Sequence, residues 1–213
     1  MPKVSRPSNY DKNVFINCPF DDLYEPLFHA IIFTLYDMGF NPKCAKDVSN
    51  AGQVRFTKIQ DLIENCKYSI HDISRTQLDP INALPRFNMP LELGLDLGCR
   101  RYGTSHLQEK VILVLDVELY RYQKFISDIA GQDIDEHRSG EENVITVVRD
   151  WLRPELDPKL VKTPNGANIY TRYRAFQAML PSICTDLGWD INKLPFIDFS
   201  WAVYDWIRKN PIK

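Results

Sequence analysis

Lys110 is followed by Val111-Ile112-Leu113-Val114-Leu115, five apolar residues without alternation, closed by Asp116. A strand wetted on one face alternates polar and apolar side chains, so an unbroken run predicts an interior parallel strand covered on both faces. The segments before it alternate in kind. Val14-Phe15-Ile16-Asn17 reads as a first strand and ends in the turn Pro19-Phe20-Asp21-Asp22. Leu23, Leu27, Ala30, Ile31, Thr34, Leu35 and Met38 then recur at helical spacing up to Gly39, with Asp21 and Asp22 the expected caps. Segment 40–45 predicts a second strand, placed at a sheet edge by Pro42. Phe56, Ile59, Ile63 and Cys66 share one helical face, and 68–74 predicts a third strand.

Beyond the apolar run, 122–134 reads as helical, and Val144, Val147, Val148 and Trp151 form another amphipathic face. Strands alternating with helices imply βαβ crossovers, so the expected fold is α/β, a flavodoxin-like doubly wound parallel sheet over residues 13–152. Segment 153–167 holds three prolines and an Asn-Gly pair, as a linker would. It opens a helical C-terminal extension, 153–213, with helices expected at about 169–187 and 198–209 by their periodicity. These carry Tyr170, Tyr173, Phe176, Trp201, Tyr204 and Trp206. So much aromatic surface predicts packing on the core or on a second copy, hence a homo-oligomer.

Composition narrows the function. Twenty-six basic against 28 acidic residues give a net charge of −2, so no global field draws nucleic acid or an anionic membrane. The five cysteines are scattered without a C-x-x-C pair, which argues against a disulfide framework or a zinc site and for a reducing cytoplasm. Nothing resembles a signal peptide, and no apolar run reaches the roughly 18 residues of a membrane span. The glycine signatures of dinucleotide folds and phosphate loops are missing, as is G-x-S-x-G, and the four histidines lack ligand spacing. No metal is expected. Cys18 with His29 makes a poor thiol pair, because His29 lies inside an apolar helical stripe.

What remains is carboxylate chemistry. In Asn88-Met89-Pro90-Leu91-Glu92-Leu93-Gly94, Asn88 can cap a helix and Pro90 fits its first turn, so the helix dipole is expected to keep Glu92 ionised. The plainer reading is a surface glutamate that complements the dipole. In an open α/β sheet, ligands bind beyond the carboxyl ends of the strands. Asn17, Phe20 and Asp22 after the first strand, with Asp72 and Ser74 at the end of the third, would then line a substrate pocket around Glu92. Asp72 can equally serve as a turn former, and Asp22 as a cap. A carboxylate there can attack an anomeric carbon and split a glycosidic bond without a cofactor.

Residues 14–22, 68–74 and 90–94 together resemble the layout of the TIR and nucleoside 2-deoxyribosyltransferase superfamily, over about residues 13–135. Glu92 is similar in position to the glutamate on the third helix of the TIR branch, while Asp72 and Glu92-Leu93-Gly94 resemble the aspartate and Glu-x-Gly element of the transferase branch. The tryptophan-cysteine pair often found before the TIR glutamate is replaced by Asn88 and Met89, and the Asp-x-Gly-Thr element of the transferases is absent. The resemblance implies Glu92 as catalytic residue and a nucleotide or nucleoside as substrate. It puts NAD cleavage to ADP-ribose or its cyclic form first, with base exchange on deoxynucleosides or non-catalytic binding as alternatives. For bacterial TIR-like proteins it also implies a setting in defence against phage.

Overall fold

The computed structural model describes residues 6–46, 52, 54–76, 78, 85–157, 159 and 162–212. Parts of the polar start (1–5) and of the linker (158, 160 and 161) lie outside the described residues. The chain divides into two compact units, Met1–Asp21 with Asn41–Arg138, and Asp22–Phe40 with Ser139–Lys213.

The first unit holds a five-stranded, all-parallel sheet: β1 (Asn13–Asn17), β2 (Asn41–Cys44), β3 (Tyr68–Asp72), β4 (Val111–Asp116) and β5 (Ile134–Glu136). Their order is β2-β1-β3-β4-β5, the flavodoxin-like order, which reverses direction between β1 and β3. The apolar run lies inside the sheet as its pattern required, Ile70 pairing with Leu113 and Val114 with Ile134. Pro42, which has no N–H to donate, sits on the edge strand β2.

Segment 122–134 departs from its helical reading. It forms 3-10 turns at Arg121–Lys124 and Ser127–Ile129, then leads into β5. Tyr122, Ile126 and Ile129 do bury apolar surface at near-helical spacing, but they pack with Ile73, Leu93 and Val114 as irregular cover over the sheet end. Helix α2 (Arg55–Glu64) buries Ile59 and Ile63, which join Phe15 and Cys66 in a second cluster, whereas Phe56 is exposed.

The second unit is helical: α1 (Glu25–Asp37), α4 (Glu141–Leu152), α5 (Gly166–Leu187) and α6 (Phe196–Lys209). Tyr24, whose side chain does not cap the helix, takes the position expected of Asp21 and Asp22, and Leu23 stays outside the helix, exposed. Phe33 of α1 meets Tyr173 and Phe176 of α5 and Trp206 of α6 at ring separations of 5.4, 5.6 and 5.8 Å. These lie within the range where aromatic pairs add to simple area burial. Phe199 continues the cluster, stacked on His29 at 3.8 Å. The aromatic content read from the sequence is thus partly resolved within this unit, although Trp201 and Tyr204 remain substantially exposed.

Candidate active site

Helix α3 (Asn88–Tyr102) presents Met89, Glu92, Leu93 and Asp96 inward, a spacing that places all four on one helical face. Phe87 is the N-cap, without a side-chain bond, so Asn88 is the first helical residue and Glu92 the fifth. Glu92 therefore stands in the second turn, where the dipole has largely faded. Burial decides its chemistry instead. Removal from water pushes the carboxyl up to about 7, Arg55 pulling weakly the other way. The expectation of a carboxylate held firmly ionised by its helix end is corrected accordingly. Among the described residues the Glu92 carboxylate meets no hydrogen-bond donor or ion-pair partner.

One turn along, Asp96 anchors a buried polar chain. Asn17 Nδ2, at the end of β1, donates to Met89 O at 3.0 Å and stands 2.9 Å from His71 Nδ1. Because an amide nitrogen can only donate, His71 Nδ1 accepts, and Nε2 carries the proton it gives to Asp96 Oδ2 at 2.9 Å. Lys110 Nζ lies 3.2 Å from Asp96 Oδ1 and also donates to the carbonyls of Ile63 and Cys66. Burial alone would raise the Asp96 carboxyl, but the His71 hydrogen bond and the nearby charges outweigh it and hold it below its ordinary value. All four side chains are nearly or fully inaccessible. The chain fixes α3, and with it Glu92, against the ends of β1 and β3.

The strand ends next to this helix are tied by a second set of bonds. Asp72 is fully buried: its Oδ1 accepts from Ser74 N at 2.9 Å, and its Oδ2 lies 3.1 Å from His137 Nε2. Asp116 Oδ1 accepts from Val117 N at 2.7 Å and from Arg121, whose other nitrogens reach Thr76 Oγ1 and Ser74 O at 2.8 Å each. Burial raises the Asp116 carboxyl despite Arg121. Tyr120, directly before Arg121, holds a left-handed backbone (φ 62°), an unusual state for a bulky residue that persists only where neighbours enforce it. Arg75 meets Asp21 at 3.0 Å, and Lys46 lies over the Phe20 ring at 4.9 Å, closing the β1 side.

Glu92, Asn17, Phe20, Asp72 and Ser74 thus belong to one unit, on or beside the carboxyl ends of β1 and β3, where the strand order reverses. Asp22 opens the second unit and is exposed. The carboxylate of Asp72 is engaged rather than open. Cys18 is no thiolate, since burial, followed by Asp72, pushes its thiol well above the ordinary value. His71, Asp96, Lys110, Asp116, Arg121 and His137 were not singled out from the sequence as site residues. Asp96 had a visible signal, an acid four residues after Glu92 on the same helix face. His137 had none, because its partner is 65 positions away. Two cavities lie elsewhere, one of about 750 Å³ within the second unit and one of about 620 Å³ beside the end of α3. Glu92 is a candidate for chemistry because a buried carboxyl with a raised titration point beside the strand ends is a mark that functional residues often carry. Among the described residues, no group of acids, histidines and cysteines is arranged to hold a metal ion, and no helix is long and apolar enough to cross a membrane.

Fold and site together define an α/β protein with a five-stranded parallel sheet and, beside its switch point, a buried carboxylate without a hydrogen-bond partner among the described residues. Comparison with models of protein families, with curated proteins and with solved structures found no match.

Proposed function

We propose that this chain cleaves the N-glycosidic bond of NAD, with Glu92 as the catalytic carboxylate. The observation that carries the reading is the division of roles among the buried acids. Asp72, Asp96 and Asp116 are each committed to a partner, while Glu92 has none among the described residues and titrates near neutrality. A carboxyl with a titration point near the working pH is suited to act in the reaction, and burial strengthens its electrostatic effect on a nearby cation.

The leaving group then selects among the substrates. In NAD the base is already a pyridinium, so when the C1′–N bond breaks its electron pair leaves with neutral nicotinamide and no acid is required. Ionised Glu92 supplies the negative charge that stabilises the oxocarbenium-like carbon or bonds to it. Water completes the reaction to ADP-ribose, and an internal nucleophile gives the cyclic product. A purine deoxynucleoside would need a second, proton-donating group at its leaving base, a role that the engaged carboxylates of Asp72, Asp96 and Asp116 do not offer. The strand order and the position of Glu92 on the third helix further support the TIR-like branch of the resemblance.

The test is incubation of pure protein with NAD, and separately with deoxynucleosides plus free base, followed by chromatography. Nicotinamide release that falls by roughly 10² to 10⁴ in Glu92→Gln supports the proposal. Base exchange without NAD consumption would assign the transferase chemistry instead. Ligand-induced stabilisation without any product would make the chain a binding module.

A further inference from the structure

We propose that the second unit carries a separate binding site for a small organic polyanion of the nucleoside diphosphate class, where the start of α5 meets the end of α6. The cavity there has a volume of about 750 Å³, within the range of pockets that enclose nucleotide-sized ligands. Three cations line it, Lys162, Arg172 and Lys209, and no carboxylate is among its described lining residues.

Arg172 is the organising group. Its Nε and Nη2 donate to Asp37 at 3.1 and 2.7 Å, Nη2 also reaches Asn210 O at 2.9 Å, and the guanidinium lies 5.3 Å from the centre of the Trp206 ring. These contacts hold the guanidinium in one orientation and leave Nη1 without an acceptor among the described residues. A guanidinium fixed in advance loses little freedom when an oxyanion arrives, which is how preorganised arginines gain affinity. Lys162 is exposed and forms no ion pair among the described residues. Lys209 is paired with Asp205 at 2.6 Å, but its ammonium end faces solvent and Asp205 keeps a second cation, Arg208 at 2.8 Å, so Lys209 can turn to a phosphate without stranding the carboxylate. Asn168 and Thr171, in the first two turns of the 22-residue helix α5, add polar groups at the helix's positive end. Pro164, Pro211 and Ile212 supply an apolar wall, which suits the sugar and base of a nucleotide better than a bare inorganic ion. The overall charge of −2 provides no extended basic surface, so a small ligand fits better than a nucleic acid.

The experiment is calorimetric titration of the full chain with ADP, with adenosine and inorganic phosphate as comparators, at low and raised salt. ADP is expected to bind more tightly than either comparator and to weaken as salt rises. Lys162→Glu and Thr171→Glu, at two exposed positions, should each weaken ADP on the order of tenfold or more while leaving the melting temperature unchanged. Absence of ADP binding, equal affinity for adenosine, or wild-type ADP affinity in both variants would each overturn the proposal. None of these readouts involves turnover, so the result stands apart from whether Glu92 is catalytic.

Discussion

Taking Glu92 out of water costs its charged form more than the charge of Arg55 returns, and the carboxyl titrates at about 7 instead of 4.5. Between those two values the folded chain binds more protons at this residue than the unfolded chain does. Stability from this group is therefore fully present below the unfolded value, declines as pH rises from 4.5 to 7, and stays low above. Glutamine, nearly the same size, has no such dependence. Melting curves of Glu92→Gln and wild type should coincide near about pH 4, and the variant should melt higher near about pH 8. A variant that melts lower at the alkaline end would mean that the carboxylate is a structural anchor. The activity should show the same titration from the other side: kcat/KM for NAD is expected to rise as pH passes through about 7, because the ionised form does the work. A profile flat through neutrality would remove Glu92 from the chemistry.

Among elements, α3 is the one that the polar interior positions. Asp96 binds it to β3 through His71, Asn17 binds its first turn to β1, and Lys110 joins Asp96 to the chain leaving α2. Removing one member of a buried ion pair leaves the other charge stranded, which costs more than the pair contributes when intact. Lys110→Met should lower unfolding free energy by about 3–5 kcal/mol in urea titrations. A loss below about 1 kcal/mol would show that His71 alone satisfies Asp96. Much of this arrangement was partly written in the sequence: the α3 face repeats at Met89, Glu92, Leu93 and Asp96, and the β4 run is continuous. Segment 121–136 was not legible in the same way. Its apolar residues have near-helical spacing, yet Ile134 finds a ladder partner in Val114, and a short edge strand wins over an isolated helix.

For the whole molecule, the second unit draws its core from two distant stretches of chain. Phe33 and Ile31 come from α1, whereas Tyr173, Phe176, Phe199 and Trp206 come from α5 and α6. Each large aromatic buries on the order of 200 Å², so removal of α5 and α6 uncovers more apolar surface than a soluble monomer tolerates. A chain ending at Asp157 should aggregate, or bind a hydrophobic dye and lose its cooperative melt. A monomeric truncate with wild-type melting would show that the aromatic cluster is dispensable.

The sequence alone determined what depends on neighbours along the chain. An unbroken apolar run is best satisfied inside a sheet, Pro42 confines its strand to an edge, and helical spacing in 25–37 and 141–152 follows from which side chains must leave water together. It also singled out Glu92, because an acid near the start of a largely apolar helix is visible in a linear pattern. Only the tertiary structure decided how that acid behaves. The helix begins at Asn88, so the dipole acts weakly on Glu92, and the surrounding fold removes its water and raises its titration point. Tertiary structure likewise decided that Asp72 meets His137, that Arg121 ties two strand ends, and that Asp37 holds Arg172 from 135 positions away. Such partners are chosen by proximity in space. Desolvation and long-range pairing depend on everything that packs around a group, which no local pattern encodes.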